Sequence, residues 1–408
     1  MSTHYKNITI NRRQLLAAAG GVAVVQAASG EQVQVADIPT DPTKVPGGPA
    51  SPLGARSSFE QPQRRAFGNA LSFTPLQDLH GTITPADLHF ERHHAGIPTI
   101  DPERYELLIH GMVERPMKFS LAELKRFPAT TRICFIECSG NLPLQAKKKT
   151  TPQSLAGLTS QSEWTGVSLA TLFREVGVQP KASWFLAEGS DAAVMTRSIP
   201  VDKARDDALI AYAQNGEAIR PAQGYPARLL LPGWEGNTNV KWLRRIELSD
   251  RSFQTREETS KYTDPLKDGS VRQFSFVMDA RSIITFPAYP VTLEPGWIEI
   301  RGLAWTGRGH ITQVDISTDN GNSWVSAELQ TPVLPKAHTR FRYLWKWDGR
   351  ATNILSRARD ETGYVQPTRA QLDAARGGSR APFAYHYNPI IGWQIQTDGS
   401  VLLAINSG

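Results

Sequence analysis

The chain contains two cysteines, Cys134 and Cys138, and the setting of the second suits it to chemistry. Ile133-Cys134-Phe135-Ile136-Glu137 has the β-branched and aromatic character of a strand, and it runs directly into Cys138-Ser139-Gly140-Asn141, a turn composition. A cysteine at a strand end, beside a turn that presents backbone N–H groups, is placed to act as an exposed thiolate. Cys134, inside the same strand, reads as a small buried hydrophobe. In an extended segment four residues span roughly 13 Å, whereas a disulfide needs Cα atoms about 5.5 Å apart. The two cysteines are therefore predicted not to bridge. No Cys-x-x-Cys-His run occurs, so the chain is expected to attach no c-type haem.

A second cluster, Arg92-His93-His94, follows Phe90 and precedes Gly96-Ile97-Pro98. Adjacent side chains of an extended segment point to opposite faces, so Arg92 and His94 are expected to converge on a pocket while His93 points away. The plain alternative is a pair of surface histidines in a polar loop. No further His, Cys or carboxylate stands at a spacing diagnostic of zinc.

The elements that must position these residues are short. Tyr105–His110, Arg132–Glu137 and Ser183–Ala187 read as strands, and Ser120–Phe127 and Ser168–Val176 as helices. Ser120 and Ser168 are candidate N-caps, the first with Glu123 at the capping-box position. Ala227–Leu231, stopped by Pro232-Gly233, reads as a buried strand. This mixed α/β body extends to about residue 265. Beyond it, Ile298–Ala304, Ile311–Ser317, Trp324–Glu328, Phe341–Trp347 and Asn353–Asp360 alternate in period two, and Asp319-Asn320-Gly321-Asn322 marks a hairpin. Several short strands in this stretch predict an immunoglobulin-type β-sandwich.

With 408 residues, 40% of them apolar, the chain is long enough for two cores. The formal charge of +6 is modest and scattered apart from Lys147-Lys148-Lys149, which argues against a nucleic-acid footprint. The lysine run reads as a solvated loop, with a docking patch for an acidic partner as the sharper alternative. At the N-terminus, Arg12-Arg13 followed by Leu15-Leu16 and the weakly apolar Ala17–Val25 has the layout of a twin-arginine signal peptide. That stretch falls short of the about 20 residues of a membrane span. Export of a folded protein by this route fits a cofactor loaded beforehand and a periplasmic location. Residues 31–66 are rich in Pro, Gly, Ser and Thr and read as an extended arm.

Taken together, Arg92-His93-His94, Cys138-Ser139-Gly140-Asn141, Gly224-Tyr225-Pro226-Ala227-Arg228 and Val240-Lys241-Trp242-Leu243 resemble the sulfite oxidase family of molybdopterin enzymes, from about residue 85 to the C-terminus. The resemblance implies an α+β fold, with a molybdopterin-binding domain at 67–268 and an immunoglobulin-like dimerisation domain at 269–408, after a signal peptide at 1–30 and the arm at 31–66. It implies a molybdenum-molybdopterin cofactor with Cys138 as the metal's thiolate ligand. Arg92 and His94 fall near the pterin and substrate pocket, Asp191, Arg228 and Lys241 at positions that hold the pterin and its phosphate, and Tyr262 at an active-site tyrosine. Arg92 and Tyr262 are the expected catalytic residues. Two departures stand out: Leu142-Pro143 where the animal enzymes have an arginine after the turn, and Gln223 where a histidine is usual.

Losing a cation at the anion pocket favours a larger substrate than free sulfite. Within the family the likeness is greatest to the molybdenum subunits of Sox sulfane dehydrogenases, which implies oxygen-atom transfer to sulfane sulfur on a carrier protein. Electrons would pass to a separate dihaem cytochrome c subunit, and a homodimer within a heterotetramer is implied. The alternatives are a free-sulfite dehydrogenase of the same fold and, from another class, a non-catalytic exported binding module. No membrane span and no nucleic-acid partner are expected.

Overall fold

The computed structural model describes residues 49–143, 146–376 and 385–404. The expected signal peptide and the first part of the arm lie outside them. Residues 49–57, from the unit Met1–Ser57, carry no helix or strand, while Ser58–Gly408 forms one compact unit. Strand Arg65–Phe67 begins inside the last residues assigned to the arm and pairs with Leu71–Phe73, which in turn pairs with Glu91–Arg92.

The first large sheet places Ala129–Glu137 along Thr159–Ser168, which adjoins Leu209–Gln214; Arg228–Leu230 and Glu217–Ala218 pair with the latter. The ladder ends with Glu137 opposite Thr159, so the chain leaves the sheet at Cys138. Alternation along this strand does two jobs. Cys134 and Ile136 enter a small core with Trp164 and Leu230, while Phe135 enters the core of the C-terminal sheets. The second large sheet runs Met117–Ser120, Glu106–Gly111, Leu243–Ser249, Trp184–Gly189, Thr196–Pro200, and its one parallel pairing joins Leu243–Ser249 to Glu106–Gly111.

The helices are short. Leu121–Leu124 starts with the expected capping box, Ser120 and Glu123 each bonding the other's backbone. Leu169–Val176 buries Leu169, Leu172, Phe173 and Val176, the spacing of one helical face, and stops at Gly177 with φ 68°. Ser168 occupies the N-cap position but its side chain makes no capping bond. It is the last residue of a strand held opposite Leu209, and that pairing starts the helix without it.

After residue 280 the chain forms a four-stranded sheet, Arg281–Phe286, Gly296–Trp305, Thr339–Trp347, Glu328–Gln330, and a five-stranded one, Val325–Ser326, Ile311–Ser317, Thr352–Asp360, Gly392–Ile395, Val401–Ala404. Trp305, Phe341 and Trp393 are fully buried in their shared core. Asn320 and Gly321, with φ 64° and 88°, make the expected hairpin turn. The segment read as one strand, Trp324–Glu328, instead divides between the two sheets, because Ala327 turns its N–H to Val314 as the chain crosses. Leu76, Phe135, Leu155 and Ala156 complete this core from the first half of the chain.

Candidate active site

The strand ends converge on one cleft. Arg92, His94, Cys138, Asp191, Arg228, Lys241 and Tyr262 all line it. Arg92 closes the strand Glu91–Arg92, Cys138 follows Ala129–Glu137, Asp191 follows Trp184–Gly189, Arg228 opens Arg228–Leu230, and Lys241 precedes Leu243–Ser249. Tyr262 ends a single π-helical turn, Glu257–Lys261. His93 lines the cleft too, contrary to its expected outward orientation. The strand stops at Arg92, so the alternation that would turn His93 away no longer applies.

Cys138 is held by its backbone. Its N–H donates to Leu158 O at 2.9 Å, and its carbonyl accepts from Asn141 N at 2.9 Å. The thiol is half-buried rather than exposed, and burial pushes its pKa up against the opposing pull of the Gly140 N–H and Arg92. A Cβ at position 140 would lie 3.8 Å from the Cys138 sulfur, an ordinary contact distance. Cys134 is 1% exposed and its thiol is pushed up to about 12, in keeping with a packing residue.

The cationic wall is costly as it stands. Arg228 is 2% exposed, donates to Gln223 O and Asn239 O at 2.9 Å each, and stacks over Trp164. Burial brings its pKa down to about 9. Lys241 donates to Arg92 O and Ala222 O, both at 2.9 Å, and burial with the nearby Arg228 brings it down to about 7. Among the described residues neither has a carboxylate partner. Asp191 spends one oxygen on Met195 N at 3.0 Å, closing its own loop. Gln223, standing where a histidine was expected, donates to Phe90 O at 2.8 Å and so braces the Arg92 loop from behind.

His94 Nε2 lies 3.2 Å from the Tyr262 hydroxyl. Burial and Arg92 lower His94 to about 4, so the ring is neutral near pH 7, and burial raises Tyr262, which keeps its proton. The Tyr262 ring also rests 5.0 Å from the Arg197 guanidinium. Arg197, fully buried between Glu258 and Glu235, is a supporting residue that sequence reading missed, as is His386 beside Glu235. Nothing in the local composition marks them, because their partners are distant in sequence.

The residues suit a metal carried on an anionic organic group. Among the described residues no cluster of three His, Cys, Asp or Glu side chains could hold a metal ion alone. One soft sulfur and a wall of cations remain, so the metal must bring most of its other ligands with it. His89 Nε2, His93 Nδ1 and Asn237 Oδ1 are buried at the cleft without hydrogen-bond partners, leaving polar groups for a ligand to satisfy.

Comparison with known proteins agrees with this chemistry. Residues 94–257 match the oxidoreductase molybdopterin binding domain, and residues 272–388 match the Mo-co oxidoreductase dimerisation domain. The fold and cleft are those of a molybdopterin oxidoreductase. A chain of the sulfane dehydrogenase SoxCD from Paracoccus pantotrophus superposes with a TM-score of 0.84 at 42% identity, covering 89% of this chain and 96% of that one. The protein belongs to the sulfite oxidase family. Mitochondrial sulfite oxidase of Drosophila melanogaster is 31% identical over 81% of this chain, and the NADH nitrate reductase of Ulva prolifera 28% over 70%. The chain spans only 62% and 38% of the lengths of those two relatives.

Proposed function

We propose that this protein oxidises sulfur compounds by oxygen-atom transfer, with sulfane sulfur on a carrier protein as substrate. The observation that carries the reading is the convergence of Cys138, Arg92, His94, Asp191, Arg228, Lys241 and Tyr262 on one cleft. The extent of likeness to the sulfane dehydrogenase supports the substrate class. When bound, the molybdenum-pterin group supplies a two-electron couple and the transferable oxygen.

Cys138 binds the metal through its thiolate, and Arg228 and Lys241 hold the anionic end of the pterin group. Each still has N–H bonds free for that purpose after its contacts with backbone carbonyls. Asp191 offers its second oxygen to a donor on the pterin. Arg92 balances anionic oxygen on the substrate as it forms. Tyr262, protonated and fixed by the neutral His94, donates a hydrogen bond that orients the reacting oxygen.

Electrons leave to a separate dihaem cytochrome c subunit, and the assembly is a heterotetramer built on a homodimer of this chain. Export by the twin-arginine route places it in the periplasm. Among the described residues no helix is long and apolar enough to cross a membrane.

Molybdenum and pterin analysis of protein purified from its native compartment tests the reading. Stoichiometric metal, lost in Cys138→Ser, is expected; full metal content and turnover in that variant would refute the ligand assignment. Turnover of a sulfur-loaded carrier protein in excess of free sulfite is the expected substrate preference, and the reverse result would make the protein a sulfite dehydrogenase.

A further inference from the structure

The Cys138 turn is tied to the C-terminal sandwich as well as to its own sheet. Glu137, the residue before Cys138, is 1% exposed and accepts three hydrogen bonds. They come from Arg281 Nη1 at 2.8 Å, Trp305 Nε1 at 2.6 Å and Asn141 Nδ2 at 2.8 Å. Arg281 also donates to the carbonyl of Asn141 at 2.7 Å, reaching the far end of the same turn. Arg281 lies on the strand Arg281–Phe286 and Trp305 on Gly296–Trp305, paired neighbours in the four-stranded sheet. Asn141 closes the loop by donating to Ala156 O and accepting from Leu158 N. The residue between is held as well: Ser139 O accepts from His386 N at 2.9 Å, and Ser139 Oγ from Asn237 Nδ2 at 2.9 Å.

Both flanks of Cys138 are thus fixed by distant groups, and its sulfur faces the cleft. We propose that Glu137, Arg281 and Trp305 form a positioning clamp through which the C-terminal sandwich sets the direction of the Cys138 thiol. The inference rests on Cys138 as the metal ligand for its consequence, but not for its geometry. A buried carboxylate that accepts two donors from one direction and a third from the turn is a stiff joint, because moving it leaves a desolvated charge unpaired. Nothing in packing alone requires this arrangement: an apolar residue at 137 would fill the same core without linking the turn to Arg281. None of the three residues touches the cleft, so each acts through Cys138 and none is catalytic.

Two variants test the clamp. Glu137→Gln with Arg281→Met replaces the ion pair by neutral side chains of similar volume, and Trp305→Phe removes one donor while keeping an aromatic ring in the core. The first readout is the alkylation rate of Cys138 by iodoacetamide in cofactor-free protein, with buried Cys134 as internal reference. Both variants are expected to alkylate Cys138 several-fold faster with Cys134 still protected, and Arg281→Lys to return towards the wild-type rate. In metal-loaded protein, molybdenum affinity is expected to fall roughly tenfold, with a shift in the Mo(V) electron paramagnetic resonance g-values. An unchanged Cys138 rate and unchanged g-values in either folded variant would overturn the clamp, as would equal acceleration of both cysteines. Wild-type protein that takes up no molybdenum would instead refute the functional reading, and the alkylation comparison would still decide the clamp.

Discussion

Two buried arginines lie close to the same cleft and live in opposite environments. Arg197 is fully buried, but Glu258 at 2.8 Å and Glu235 at 2.9 Å neutralise it, and its pKa is raised. Arg228 is almost as deeply buried, bonds only to backbone carbonyls, and its pKa is lowered to about 9. The first charge is neutralised within the chain; the second has no carboxylate partner among the described residues. A charge that a fold buries without neutralising costs stability, so its persistence points to a ligand rather than to architecture. The same contrast separates Lys241, without a carboxylate partner, from Arg281, which is paired with Glu137 at 2.8 Å.

The largest expected effect comes from breaking the complete set. Arg197→Met strands Glu235 and Glu258 in the interior and should cost about 3–5 kcal/mol of stability, read by denaturant unfolding. Arg228→Met should change the stability of cofactor-free protein by no more than about 2 kcal/mol, since relief of desolvation offsets two lost hydrogen bonds. Its cofactor content should nevertheless fall roughly tenfold or more. Equal destabilisation by the two substitutions would erase the distinction.

The pH dependence of stability should differ in sign between the two kinds of group. Lys241 titrates at about 7 in the folded chain, below its ordinary value of about 10.4, so the unfolded chain binds more protons between them. Cofactor-free protein should gain stability as pH rises through that window, and Lys241→Met should remove this slope. His386, facing Glu235, Asp264 and Arg376, is raised above its ordinary value by Glu235. Its contribution is full below the unfolded value and is lost as pH rises through the folded one, so His386→Gln should remove a fall in stability as pH climbs above its ordinary value of about 6.5. Melting temperatures across pH for wild type and both variants check the two signs.

The smallest effect tests the same idea at the surface. Ser120 makes its capping bonds and Ser168 does not. Ser120→Ala should cost about 1 kcal/mol and Ser168→Ala close to nothing; similar losses would mean that position rather than the bond matters.

How much of this was legible before the fold depends on how local the signal is. The strand before Cys138, the Ser120 capping box and the Asn320-Gly321 hairpin are written in neighbouring residues, and the structure contains each of them. Five of the seven residues picked out by resemblance, Arg92, His94, Cys138, Arg228 and Lys241, stand in the four quoted motifs, Asp191 and Tyr262 lie outside them, and all seven meet in one cleft. His93 faces the cleft because the strand ends at Arg92, and the alternation of faces that sequence spacing implies ends with it. The segment Trp324–Glu328 was read as one element because periodicity does not show where a chain changes sheets.

The sequence by itself determined which residue types are on offer at the cleft: one cysteine at a turn, a set of cations, and a tyrosine. It also determined the succession of a mixed body and a β-rich one, since periodicity and turn residues act over a few positions. The tertiary structure alone decided which charges are neutralised. Glu137 with Arg281, Arg197 with Glu235 and Glu258, and His386 against the Cys138 turn join residues far apart in the chain. The desolvation that makes such pairings matter exists only once the strands have closed around them.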